Sequence, residues 1–336
     1  MPTPESLKLK KKLSFSEMDN DHMVLYFGIT ILGSIAIPFV YYSIMVNIYA
    51  TANQPDGFQF PHIVDFWRVI AGAIGTTLTK SGCTYLFTSS FESSAKGDTD
   101  KQRMRYQVKA AENIGQIIYF TIFSVWGFYE LRQSNFLPTF MGGHYDGKTA
   151  FENTMANNPF NTFPRGVYEW FLFSAGNYFG ELVLHVFVNE HKSDFGEMCV
   201  HHLATIFLIF GSGYANQVGI GSIISWLHIV SDIPISAARI FSSLKSTFAE
   251  YTCGVVLVCG ILPSWFYLRC GCLSFLIYNI FTNSTCVYAP PLQDFSIFLQ
   301  LNGIYLSVLQ LLNIYWIILL LKMLVGFLSG KGAEDL

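Results

Sequence analysis

The sequence predicts an all-α fold, a polytopic transmembrane helical bundle of about eight spans, and three observations carry that reading. Hydrophobic residues fill 51% of the 336 positions and charged residues only 13%, whereas soluble domains carry about 25% charge. Mean hydropathy is +0.38. Aromatic residues reach 16%, with 31 Phe and 18 Tyr, which suits lipid-facing helices with interfacial rings and excludes disorder. The 27 Gly and 12 Pro follow no period, so collagen-like, repeat and low-complexity chains are excluded too.

A span requires about 20 mostly apolar residues. Residues 23–49 satisfy this outright. Residues 66–91 form a weaker second span because they include Arg68 and Lys80, long basic side chains expected to snorkel toward the interface. Residues 114–129 give a short third span, 168–188 the fourth, 198–214 the fifth, 220–240 the sixth, 251–268 the seventh and 295–328 a long, tilted eighth. This divides the chain into a basic tail (1–22), an extra N-terminal helix (23–50), a second span with a basic loop (51–108), a six-helix membrane domain (109–328) and a C-terminal tail (329–336).

Charge sets the orientation. Lys8, Lys10, Lys11 and Lys12 of the tail, the loop residues Lys96, Lys101, Arg103, Arg105 and Lys109, and Lys192, Lys245 and Lys331 share one side, against Arg132, Lys148 and Arg165 on the other. The bias gives both termini inside. Residues 1–20 read as a retained tail, and 330–336 carry no lipidation or retention signal. Residues 130–166 and 271–294 are expected as long loops on the opposite side, the second with the sequon Asn283-Ser284-Thr285. Cys270, Cys272 and Cys286 fall in or beside that stretch and are candidates for a disulfide on an oxidising side. Cys83, Cys199, Cys253 and Cys259 lie in apolar runs and are read as small hydrophobes. The net charge of -3 is uninformative about nucleic acid, and none is expected as a partner.

Ionisable groups at membrane depth cost roughly 2.5 to 3.5 kcal/mol or more for a central Asp, and mark function by default. Glu181 and His185 stand four apart on the fourth span, His201 and Thr205 on the fifth, and His228 and Asp232 on the sixth. Residues four apart share a helix face. Short connections make the three helices antiparallel neighbours, so the pairs can meet in one cavity. The alternative for each histidine is a hydrogen bond to a neighbouring helix that serves only packing. A metal is a further candidate, since these side chains are suitable ligands. Membrane di-iron enzymes, however, use repeated H-x-x-H-H clusters, and one His-His pair occurs here among eight histidines, of which His22, His62, His144 and His191 lie outside the spans. No metal or cofactor is expected.

His201-His202-Leu203-Ala204-Thr205 followed by His228-x-x-x-Asp232 resembles the signature of ceramide synthases, within the wider TLC-domain group of membrane proteins. Lys109-x-x-Glu112 with Tyr119, Lys192-Ser193-Asp194-Phe195, Trp265-Phe266-Tyr267-Leu268-Arg269 and Leu309-Gln310-Leu311-Leu312-Asn313-Ile314-Tyr315-Trp316 extend the resemblance over residues 66–328. It implies a TLC-type bundle in the endoplasmic reticulum, with an organelle inner membrane such as the mitochondrial one as alternative, that joins a fatty acyl group from acyl-CoA, as co-substrate, to a sphingoid amine. It also implies roles: His201 as acyl-accepting or base imidazole, His202 as its partner and Asp232 as the orienting carboxylate, with His228 opening the motif. A His held by a carboxylate suits both the amine's loss of a proton and the thioester's loss of CoA.

The chain departs from the family's H-D-x-x-D. Ile229 stands where the first Asp is expected, Gly219 where a basic residue is usual and Ser236 where a Glu often follows. In a serine-protease triad, removing the orienting charge costs about 10⁴-fold in turnover. Glu181 is the nearby acid that could substitute for it. On these departures the sequence favours a catalytically impaired, lipid-binding or structural subunit of a larger membrane complex, or a homo-oligomer, over an active ceramide synthase. Membrane lipids are its expected ligands on either reading.

Overall fold

A computed structural model of the protein describes residues 20–55, 63–156, 158–187, 195–283 and 293–329. Most of the basic tail, His62, His191, Lys192-Ser193-Asp194, Ser284, Thr285, Cys286 and Lys331 lie outside the described residues. The helices are α1 (Asn20–Ala52), α2 (Trp67–Phe87), α3 (Asp100–Gln133), the short α4 (Gly147–Met155), α5 (Arg165–Phe187), α6 (Phe195–Tyr214), α7 (Val218–Ser242), α8 (Thr247–Asn283) and α9 (Gln293–Leu328). Among the described residues no strand forms, only two isolated bridges. Each of the eight expected spans has most of its length in a long helix, the second giving way after Phe87 to a 3-10 turn at Thr88–Phe91. Six of those helices are long and apolar enough to cross a membrane, and the protein is a multi-pass helical membrane bundle. The other two, α2 and α5, carry buried polar side chains, Lys80 and Thr76 on α2 and Asn177 and His185 on α5.

Local chemistry explains where the helices begin. The Thr99 hydroxyl accepts from the Gln102 amide at 3.2 Å while the Gln102 side chain accepts from the Thr99 amide at 3.4 Å, a capping box that starts α3. Ser246 caps α8 through the Ala249 amide at 3.0 Å. Asp146 caps α4 through the amides of Lys148 and Thr149 at 3.0 and 3.1 Å. Pro234 lies inside α7, two residues beyond Asp232, where it removes one intrahelical hydrogen bond.

Packing follows from aromatic and glycine placement. Trp170, Phe171, Leu227 and Ile229 are completely buried in the main core. The indole of Trp170 donates to the Phe123 carbonyl at 2.9 Å and that of Trp226 to the Ser124 carbonyl at 3.0 Å, tying α5 and α7 to α3. At Gly72 of α2 and Gly176 of α5 a Cβ would collide with the backbone of the facing helix. These two glycines set how closely α2 and α5 approach, as small residues do between helices in lipid. The outer faces carry exposed apolar side chains such as Ile37, Leu78, Tyr85 and Val125.

Three expectations are corrected. Residues 130–166 are not a plain loop, since they contain the end of α3, the start of α5, and α4 between them. Residues 271–283 are helical, because α8 continues through Gly271 instead of stopping near Leu268. Cys270 and Cys272 therefore sit on that helix as free thiols, Cys272 buried. The same helix holds two π-helical segments, at Leu257–Ile261 and Trp265–Cys272.

Candidate functional site

The histidines converge at the centre of the bundle. His201 lies with its ring centroid 5.5 Å from that of His202 and 5.9 Å from that of His228. His202 lies 5.9 Å from His185, which stacks on Phe195 at 5.0 Å. Trp316 of α9 joins the group, edge-on to His201 at 5.3 Å. All four imidazoles are at most 9% exposed. Nδ1 of His201, Nδ1 of His202 and Nε2 of His228 are buried without a hydrogen-bond partner among the described residues. Of the remaining histidines, His144 accepts from Arg132 at 3.3 Å, far along the chain from this cluster.

The tautomer of His228 is set by the backbone. Its Nδ1 lies 2.8 Å from the carbonyl of Ile224, one turn earlier on α7. A carbonyl only accepts, so Nδ1 carries the proton and the neutral ring keeps its lone pair on Nε2. Orientation that a carboxylate would give is supplied here by a helix carbonyl.

Asp232 is differently engaged from its expected role. Its carboxylate pairs with Arg269 of α8, and among the described residues its recorded side-chain partner is that guanidinium, not an imidazole. Arg269 is 3% exposed; its Nε donates to Ser231 Oγ at 2.6 Å and its Nη2 to the His228 carbonyl at 3.3 Å. The guanidinium also lies 4.2 Å from the ring centroid of Trp265, a favourable cation–π contact. Trp265 and Arg269 share one π-helical segment, and π turns concentrate at functional sites.

Lys80 does not snorkel. It is 9% exposed, and its ammonium meets both carboxylate oxygens of Glu181 at 3.1 and 3.0 Å. Sequence reasoning gives Lys80 and Arg269 no place in the site. The signal available for each is a basic residue within an otherwise apolar run.

A cavity of about 590 Å³ is lined by Gln116, Glu181, His201, His202, Asp232, Ser236, Arg239, Trp265, Arg269 and Trp316 among others. It occupies the half of the bundle where α7 and α9 end, the side predicted to be inside. A narrow apolar void of about 30 Å³ lies in the other half, bordered by Thr205, Ser212, Gln217, His228 and Leu309. Tyr178 borders both, so the imidazoles stand where the two spaces meet. Thr205 turns its hydroxyl back to the His201 carbonyl at 2.8 Å.

The departures from the expected motif are now placed. Ile229 is 0% exposed and packed in the apolar core. Ser236 lines the cavity, 3.4 Å from the Gln116 side-chain oxygen. Gly219 is nine residues before His228, about 13 Å along the helix, and a Cβ there would meet the Thr154 carbonyl at 3.0 Å and Phe163 at 3.2 Å. The position faces α4 and its flanking segment, away from the imidazoles.

Comparison with known proteins gives one family. The TLC domain matches residues 109–322. The chain is 31% identical over 183 residues to Ceramide synthase 5 of Homo sapiens, covering 53% of this chain and 44% of that protein. It is 26% identical over 311 residues to Ceramide synthase hyl-2 of Caenorhabditis elegans, covering 86% and 87%. With Ceramide synthase 4 of Bos taurus it shares 30% over 181 residues, covering 53% and 44%. The match spans less than half the length of the two mammalian relatives and most of the nematode one.

Proposed function

Since the chain belongs to the TLC-domain family, we propose that it transfers a fatty acyl group from acyl-CoA to the amine of a sphingoid base within the membrane. The observation that carries this reading is the group of three buried imidazoles, each with a ring nitrogen unbonded among the described residues, of which His201 and His202 line the 590 Å³ cavity and His228 stands behind His201. A bare imidazole nitrogen away from water is a base and a nucleophile. The cavity's polar lining, which includes Arg239 and Arg269, suits a charged headgroup, and its apolar lining, which includes Ile261, Leu319 and Leu320, suits hydrocarbon.

In this reading the amine nitrogen attacks the thioester carbonyl, forming the C–N bond, and the C–S bond breaks. His201 takes the amine proton and returns it to the departing CoA thiolate, so the imidazole ends neutral. His228, its tautomer held by Ile224, supports His201 from one side and His202 supports it from the other. Arg269 and Asp232 hold the α7 turn that presents His228. The endoplasmic reticulum is the compartment this reading implies.

Ile229 favours a second reading, an impaired, lipid-binding subunit of a membrane complex or a homo-oligomer. The test is acyl transfer to sphinganine by the full chain purified in mild detergent. Turnover that His201→Ala abolishes supports the enzyme. A stoichiometric complex with no turnover, or turnover only in Ile229→Asp, supports the second reading.

A further inference from the structure

An ion pair within the bundle, apart from the His-and-Asp motif, is the group for which the acyl-transfer scheme has so far no use. Lys80 of α2 and Glu181 of α5 face each other at 3.0 Å, with side chains 11% and 17% exposed. Taking two charges out of water costs several kcal/mol each, and an apolar pair of like volume is often as stable or more so. Stability alone is thus a weak reason for it. Its surroundings give a better one. Glu181 lines the same cavity as His201 and His202, with Gln116 beside them. One turn further along α5, His185 lies 5.9 Å from His202.

We propose that the Lys80–Glu181 pair is a positioning device of the acyl-transfer site, in which Glu181 presents to the paired imidazoles the carboxylate that Ile229 cannot supply. This rests on the acyl-transfer reading above. Two facts argue that the role is open. Asp232, the remaining acid of the motif, is fastened to α8 by Arg269, which also holds Ser231 and the His228 carbonyl. Position 229 stands three residues before Asp232 and seven before Ser236, so it shares their helix face, and Ser236 meets Gln116, which lines the cavity together with Glu181. Glu181 therefore brings a carboxylate from α5 into the cavity that Asp232 and Ser236 line from α7.

The two residues divide the work. A lone charge at this depth is costly, so Lys80 provides the counter-charge for Glu181. Glu181 is then available to stabilise the imidazolium formed when an amine proton reaches His201 or His202. Neither residue touches the substrate carbonyl in this account; both act through the histidines.

Two double variants test it in the full chain, with acyl-CoA and sphinganine as substrates and thermal unfolding as the check on folding. Lys80→Met/Glu181→Gln removes both charges together, and Lys80→Glu/Glu181→Lys keeps the ion pair but reverses it. Positioning requires kcat to fall about 10²-fold in both, with KM for each substrate unchanged. A purely structural pair requires the folded reversed variant to turn over like wild type, and that result, or wild-type kcat in the neutral pair, overturns the proposal. Where the first double variant does not stay monodisperse, Lys80→Gln/Glu181→Gln removes both charges in its place. Turnover by wild type that persists in these variants overturns only this inference; no turnover by wild type overturns the acyl-transfer reading and this inference with it.

Discussion

Arg269 pairs with Asp232 across the α7–α8 contact, and the same guanidinium bonds Ser231 and the carbonyl of His228. One buried cation thus fastens the turn of α7 from which the imidazole projects. Losing one member of such a pair leaves an uncompensated charge, at a cost of about 3–5 kcal/mol. Arg269→Met is expected to lower the unfolding temperature sharply, and Arg269→Met/Asp232→Leu to recover most of that loss. Thermal unfolding of the detergent-purified variants measures both.

His228→Asn keeps a donor for the Ile224 carbonyl but offers no basic nitrogen. Turnover is expected to drop by about 10²-fold while the unfolding temperature stays near wild type. His228→Phe, which loses the hydrogen bond as well, should lose both. Equal turnover in wild type and His228→Asn would remove His228 from the chemistry.

Gly72 and Gly176 let α2 and α5 touch backbone to backbone, and the Lys80–Glu181 pair lies further along the same two helices. Gly72→Val forces the helices apart. It is expected to destabilise by about 1–3 kcal/mol through overpacking and to lower turnover. Ile74→Val, on the exposed face of α2, should change neither property measurably. Parallel unfolding and activity measurements on the two variants separate the effects.

Orientation is tested by charge-bearing loops. Lys245 and Lys148 are both exposed, on connections predicted to face opposite sides. In sealed vesicles a membrane-impermeant maleimide should label Lys245→Cys from the side of the N-terminal tail and Lys148→Cys only from the other. Labelling of both from one side would refute the both-termini-inside topology.

Outside the spans, hydrogen bonds from the Thr149 hydroxyl and from the Thr149 and Lys148 amides hold the Asp146 carboxyl below its ordinary value of 3.8. A depressed folded-state pKa means that the cap's contribution is complete above the unfolded value and disappears as pH falls through the folded one. Amide protection at Lys148 and Thr149 is expected to fall in acid over that window, and to be low at all pH values in Asp146→Ala. Hydrogen exchange of the first turn of α4 reports it.

The helical spans are legible in the sequence because length and apolar content decide them, as residues 23–49 and 295–328 illustrate. So is the meeting of His201, His202 and His228, because four-residue spacing on antiparallel neighbours leaves few other arrangements. Lys80 is not, since snorkelling and burial look alike in sequence; the difference is Glu181, 101 residues later. The partner of Asp232 is hidden as well, because the cation that claims it, Arg269, comes from a helix whose facing a π segment determines. Helix α8 outruns its apolar run for a related reason: Cys270-Gly271-Cys272 reads as a break, yet the helix continues through it.

The π segments of α8 carry a further consequence, for how this chain tolerates change in length. In a regular α-helix, removing one residue swings every later side chain by about 100°. A π turn holds more residues than an α turn, so a single deletion between Trp265 and Cys272 can be absorbed by closing the wide turn to an ordinary one. Beyond it, Leu276 and Ile280, both buried in the core, keep their facing. The damage stays local, in the spacing that sets Arg269 beside Trp265 and brings the Tyr267 hydroxyl to the Phe140 carbonyl. The helix thus carries slack at the one stretch where a lost residue would disturb the guanidinium before it disturbed the fold.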